Sequence, residues 1–188
     1  MGTRQTAGSE ADPARMLKGT TALRTPPRIL TVDDNPTNLE ILRVRLNAQG
    51  YEVVAALDGE DALARVRELE PDLVLLDVMM PKLDGFSVLK QLKQETAGRF
   101  VPVILLTAQA DTRDIATGLE AGADDYITKP FEQAALVIRV RSLLRTKQLH
   151  DSAQQQSIKL KEQIEQLTRR NRLLEERFAT QSAEIGRI

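Results

Sequence analysis

Arg28-Ile29-Leu30-Thr31-Val32-Asp33-Asp34 is the stretch that decides the fold: an apolar, β-branched run ending on two carboxylates. The pattern returns three times. Leu73-Val74-Leu75-Leu76 ends on Asp77, and Val103-Ile104-Leu105-Leu106 ends on Thr107. Tyr126-Ile127-Thr128 ends on Lys129, followed by Pro130. Apolar runs without alternation suit central strands covered on both faces, the habit of parallel sheets. All strand C-termini of a parallel sheet lie on one edge, where α/β proteins place their ligands. Three carboxylates, a hydroxyl and an ammonium would therefore converge.

Working outward, strand-like and helix-like runs alternate from Arg28 to about Leu144. The strands are predicted over 28–32, 51–55, 73–77, 101–106 and 124–128. Amphipathic helices are predicted over 36–48, 59–69, 85–94 and 112–121, with a last one starting near Glu132. Pro36 suits a first helical turn, Asp58 an N-cap and Gly122 a helix C-cap. Five repeats of strand then helix predict an α/β fold, a doubly wound five-stranded parallel sheet with helices on both faces. Residues 1–27 are rich in Gly, Thr, Ala and Pro and lack apolar periodicity, and they read as a disordered N-terminal tail ending at Pro26-Pro27. A docking peptide is the alternative for this tail.

Composition narrows the function classes. The formal net charge of 188 residues is −1, so no global field favours nucleic acid or a membrane. There is no cysteine, which excludes disulfides and thiolate metal sites. No apolar run approaches the roughly 20 residues needed to span a bilayer. The N-terminus lacks a basic-then-apolar signal, so a cytoplasmic location is expected. Without Trp, and with 3% aromatics, the core must come from Leu, Ile, Val and Ala.

No Gly or Pro interrupts the chain between Phe131 and Ala183, far longer than an ordinary helix. A heptad runs through its distal part. Ile164, Asn171, Phe178 and Ile185 fall at one seam position, and Leu160, Leu167, Leu174 and Gln181 at the other. Asn171 at an apolar a-type position is a device that fixes register and a parallel two-stranded state. Arg170 and Glu175 fall at g and e, where opposite charges pair across a seam. Upstream the seam weakens to His150, Ala153 and Ser157, the pattern of an adjustable joint. The bland reading is one helix packing on its own domain.

The acidic cluster has a defined chemistry. Adjacent Asp33 and Asp34 cannot enter one pocket to equal depth, so one would ligate a metal directly and the other through water. Mg²⁺ suits such a site, being hard, oxygen-preferring and inclined to keep waters. Clustered carboxylates repel one another, and a cation or Lys129 relieves that. Asp77 could then attack a phosphoryl group as a carboxylate nucleophile. Lys129 would neutralise the developing charge, and Thr107 would donate to a phosphoryl oxygen. Alone, each of these residues reads as a turn, a cap or a surface charge; at successive strand ends they form a constellation.

Residues 29–36, Ile-Leu-Thr-Val-Asp-Asp-Asn-Pro, resemble the opening of the receiver domain of bacterial two-component response regulators. Leu76-Asp77-Val78-Met79-Met80-Pro81-Lys82-Leu83-Asp84-Gly85 resembles its phosphoacceptor segment. Leu106-Thr107-Ala108 and the run from Asp125 to Phe131 are similar to its remaining motifs. The spacings agree: 43 residues from Asp34 to Asp77, 30 to Thr107 and 22 to Lys129. The resemblance covers about residues 28–145, leaving 146–188 as a helical linker or coiled coil. It implies a flavodoxin-like strand order of 2-1-3-4-5 and a cis Lys129–Pro130 bond. It implies Asp77 as phosphoacceptor, with Mg²⁺ held by Asp33, Asp34, Asp77 and the Met79 carbonyl. It further implies a switch in which Thr107 moves inward and Tyr126 turns from exposed to buried, reshaping the face of the fourth helix, fifth strand and fifth helix. Met79 and Gln109 stand where the family tunes phosphoryl lifetime, and Met79 predicts a long-lived aspartyl phosphate.

The resemblance implies a sensor histidine kinase or phosphotransfer protein as phosphoryl donor. It makes the chain a signalling domain rather than an enzyme. Residues 171–177, Asn-Arg-Leu-Leu-Glu-Glu-Arg, resemble linkers that precede nucleotide cyclase domains, so an output of that type is expected outside this sequence. A homodimer through Leu160, Ile164, Leu167, Asn171, Leu174 and Phe178 would carry the signal. The alternative is a stand-alone receiver and coiled-coil adaptor acting through protein partners. A DNA-binding regulator would need a helix-turn-helix or a basic helix. Acidic residues intervene among Arg169, Arg170, Arg172 and Arg177, so direct nucleic-acid binding is not expected. His150-Asp151 faintly resembles a kinase phosphoacceptor, but no Gly-rich ATP lobe follows.

Overall fold

The computed structural model describes residues 25–81, 83–108 and 112–185. The tail expected over residues 1–27 lies outside the described residues as far as residue 24. Five strands, β1 (Arg28–Val32), β2 (Glu52–Ala56), β3 (Leu73–Asp77), β4 (Val103–Thr107) and β5 (Asp125–Thr128), alternate with helices. The helices are α1 (Pro36–Asn47), α2 (Gly59–Leu69), α3 (Gly85–Glu95), α4 (Thr112–Glu120) and α5 (Gln133–Ile185). The sheet is parallel throughout, in the order β2-β1-β3-β4-β5.

Strand alternation divides the core between the two faces of the sheet. Leu30, Val32, Val74, Leu76, Val103 and Leu105 face the side covered by α2 and α3. Ile29, Leu73, Leu75, Ile104 and Leu106 face the other, against Leu42 and Leu46 of α1 and Leu136 and Val140 of α5. Every residue of β3 and β4 is buried, as their unbroken apolar runs predict.

Local chemistry sets the boundaries. Asn35 caps α1 by accepting from the Thr37 N–H at 2.9 Å, with Pro36 in the first turn. Asp58 caps α2 through the Asp61 N–H, and Asp84 caps α3 through the Ser87 N–H. Gly122, just past α4, takes a φ of +101°, open to glycine at little cost. Three strands start later than predicted, β5 by one residue at Asp125. The Tyr51 N–H donates back to Leu46 O and so completes the turn after α1, which moves β2 to Glu52. Pro102 has no N–H for the ladder, although its carbonyl accepts from Val74 N, and β4 is counted from Val103.

Opposite the cluster, ion pairs and backbone N–H groups satisfy the acids. Arg28 pairs with Glu52 at 2.8 Å while its backbone N–H donates to Asp72. Asp124 accepts from Lys93 Nζ and from the Val103 N–H, both at 2.8 Å.

Two compact units divide the chain, Met1–His150 and Asp151–Ile188, with the boundary inside α5. In the second unit Leu160, Ile164, Leu167, Leu174 and Phe178 are all exposed. The intrahelical ion pairs Arg169–Glu165 and Arg172–Glu176 lie at b and f positions of the heptad, away from that strip. No described helix is long and apolar enough to cross a membrane.

Candidate functional site

At the C-terminal edge of the sheet, Asp33, Asp34 and Asp77 bring one carboxylate oxygen each within 4.8 Å of one another. Their depths differ, as adjacency requires. Asp33 is fully buried, Asp77 nearly so, and Asp34 is exposed. Lys129 reaches in from the end of β5. Its Nζ lies 2.7 Å from Asp33 Oδ2 and 3.0 Å from Asp77 Oδ2. The ammonium thus occupies the position of a counter-cation between two carboxylates.

Backbone packing fixes Asp77 in place. Register sets it opposite Leu106, and the following Val78 N–H donates to Leu106 O at 3.0 Å. Thr107 is therefore one residue beyond Asp77's partner on the neighbouring strand, and it is buried. Its carbonyl accepts from Lys129 N at 2.7 Å, tying the ends of β4 and β5 together. On the other side, Gly85 at the start of α3 packs directly against β3. A Cβ there would collide with the Asp77 carbonyl oxygen and the Val78 Cα. Met79 is 70% exposed and its N–H lies 3.4 Å from Asp77 Oδ1.

Burial pushes the Asp77 carboxyl above its ordinary range, and the like charge of Asp33 adds to this, while Lys129 opposes both. Burial draws the Lys129 ammonium down, but its hydrogen bonds to Asp33 and Asp77 outweigh this and raise it overall. The lysine stays charged, and Asp77 holds a proton more readily than an exposed aspartate.

The residues singled out at the strand ends, Asp33, Asp34, Asp77, Thr107 and Lys129, thus share one edge. The Lys129–Pro130 bond is cis. Tyr126 is half-buried against the core cluster that includes Leu105. Gln109 and Lys82 lie outside the described residues. Asn38 had no place in the sequence reading, yet its Nδ2 donates to both oxygens of Asp33, at 3.0 and 3.1 Å.

An acidic cluster with a bridging lysine, at the carboxyl edge of a 2-1-3-4-5 parallel sheet, is the arrangement of a receiver-type fold. Residues 29–141 match the family model described as response regulator receiver domain, and the chain belongs to that family. It is 52% identical over 118 residues to the probable transcriptional regulator ycf27 of Cyanophora paradoxa, covering 63% of this chain and 48% of that protein. To response regulator PleD of Caulobacter vibrioides it is 47% identical over 128 residues, 68% of this chain and 28% of that one. The alignments thus span about half of ycf27 and less of PleD. Among solved structures, a putative response regulator from Chloroflexus aurantiacus superposes with a TM-score of 0.61 at 41% identity. That match covers 64% of this chain and 98% of the other.

Proposed function

We propose that this two-component receiver accepts a phosphoryl group on Asp77 from a phosphohistidine of a sensor kinase or phosphotransfer protein. The observation that carries the reading is the Lys129 ammonium held between Asp33 and Asp77. Three carboxylates and one ammonium leave an excess of negative charge around oxygen donors alone, a set that fits a hard divalent cation such as Mg²⁺. Asp33, Asp34, Asp77 and the Met79 carbonyl would hold it. When bound, Mg²⁺ supplies charge neutralisation for the phosphoryl oxygens.

The chain's own residues do the rest. An Asp77 carboxylate oxygen attacks phosphorus in line. The new O–P bond forms as the donor's P–N bond breaks, and the bonding pair returns to the imidazole ring. Lys129 swings from Asp77 to a phosphoryl oxygen. The Thr107 hydroxyl moves inward to donate to another, and Tyr126 sinks from its half-buried position into the space released. This is a two-state element biased by a new local charge. Exposed Met79 offers no hydrogen bond to an attacking water, so the aspartyl phosphate is long-lived; a half-life of seconds would defeat that part.

The signal then passes through α5. The exposed strip of Leu160, Ile164, Leu167, Leu174 and Phe178 pairs with a second copy. In-register parallel pairing sets Asn171 against its own counterpart, whereas antiparallel pairing would bury its amide against leucine. It also brings Arg170 at g to Glu175 at e of the other copy. Resemblance of residues 171–177 to cyclase linkers supports a nucleotide cyclase as the output, reached outside this sequence. Light scattering of the full chain, with Mg²⁺ alone and then with beryllofluoride, tests this. A dimer in both conditions supports a constitutive α5 seam. A monomer that becomes a dimer with beryllofluoride means that the receiver face drives assembly and the seam follows. A monomer in both refutes the seam.

A further inference from the structure

Asp33 is a fully buried carboxylate next to two other carboxylates. Its donors are few. Asn35 N–H reaches Oδ1 at 2.9 Å, and Lys129 Nζ reaches Oδ2 at 2.7 Å. Among the described residues, Asn38 alone touches both oxygens. The local fold explains why. With Pro36 opening α1, Asn38 is the third helical residue, and Leu42 lies one turn below it on the same side. Burial of Leu42 turns that side toward the sheet and so aims the Asn38 amide at the end of β1. Helix capping does not require it there, because Asn35 already satisfies the Thr37 N–H.

We infer that Asn38 is a positioning residue for the phosphoacceptor site, clamping the Asp33 carboxylate so that it presents a lone pair to the cation. This rests on the phosphoacceptor reading above. Lys129 cannot serve as the clamp, since phosphorylation turns it toward the phosphoryl group. At that moment Oδ2 loses its charged donor, and Asn38 is the side chain that remains. A carboxylate has about four acceptor positions. Asn35 and Asn38 occupy those pointing toward α1, and the position Lys129 leaves faces the cluster. Without Asn38, Asp33 would keep the Asn35 N–H and a lysine that leaves on phosphorylation, and could rotate away from the cation. Groups that orient a metal-binding side chain typically change metal affinity about 10-fold to 100-fold when removed.

The test is calorimetric titration of the full-length chain with Mg²⁺, beside thermal unfolding in EDTA, for wild type, Asn38→Ala and Asn38→Gln. Asn38→Ala is expected to weaken Mg²⁺ binding about 10-fold, with Asn38→Gln, which keeps the amide donor, recovering part of the loss. Asn38→Ser gives a second reading should the alanine variant unfold without metal; its short hydroxyl cannot span both oxygens, so weaker binding is again expected. A folded alanine or serine variant with wild-type Mg²⁺ affinity would overturn the clamp, even if its melting temperature fell. In that case wild-type binding leaves the phosphoacceptor reading standing. Failure of the wild type itself to bind Mg²⁺ overturns both.

Discussion

The two edges of the sheet carry similar residues and use them in opposite ways. At the N-terminal edge each ion pair stands by itself, Arg28 with Glu52 and Lys93 with Asp124, and Asp124 also fixes the Val103 N–H. At the C-terminal edge three acids gather and, among the described residues, one lysine bridges two of them. The first arrangement is complete and responds to nothing. The second is deficient in positive charge by construction, and its deficiency is what a cation can answer. One fold thus keeps a settled edge for stability and an unsettled one for signalling.

The comparison can be broken at several points. Asp77→Asn removes the attacking oxygen and should abolish phosphoryl incorporation from acetyl phosphate, seen by intact mass. Lys129→Ala leaves buried Asp33 and Asp77 without their ammonium. It should lower metal-free stability by roughly 3 kcal/mol in urea unfolding, and saturating Mg²⁺ should restore most of that. At the settled edge, Asp124→Ala leaves Lys93 with the Val101 carbonyl, strands the Val103 N–H and should cost roughly 2 kcal/mol. That loss should be the same with or without Mg²⁺; a Mg²⁺-sensitive loss would erase the distinction between the edges.

The smallest effect concerns pH. Because the folded state raises the Asp77 carboxyl, mainly by burial, it binds that proton more tightly than the unfolded chain does. Stability from this group is fully present below the unfolded value of about 3.9. It is lost as pH rises through the elevated folded value. Metal-free Asp77→Asn should therefore exceed wild type in stability at neutral pH, and the gap should close toward acid. A gap that widens on acidification would reverse the assignment.

The unsettled edge was readable in the sequence because parallel topology sends every strand terminus to the same place. Asp33, Asp34, Asp77, Thr107 and Lys129 needed only a strand assignment to become neighbours. Asn38 was hidden because its role depends on the rotation of α1. Leu39, Leu42 and Leu46, the buried residues of that helix, set the rotation, and they could have pointed to it. The settled edge was hidden for another reason. Asp72 and Asp124 precede strands, and a lone acid before an apolar run looks like any turn residue until its partner across the sheet is known. Strand starts slipped at β2, where a helix turn took the Tyr51 N–H, and at β4, where Pro102 has no N–H to give.

Lys129 gives the pocket the behaviour of an ion exchanger whose resident ion cannot diffuse away. A tethered ammonium competes at a high local concentration, so potassium or sodium, each bringing a single charge, gains little by entering. On the proposed reading, discrimination against singly charged ions is thereby built into the chain's own covalent tether. On that reading the ammonium, held beside the carboxylates, turns from them to the phosphoryl group.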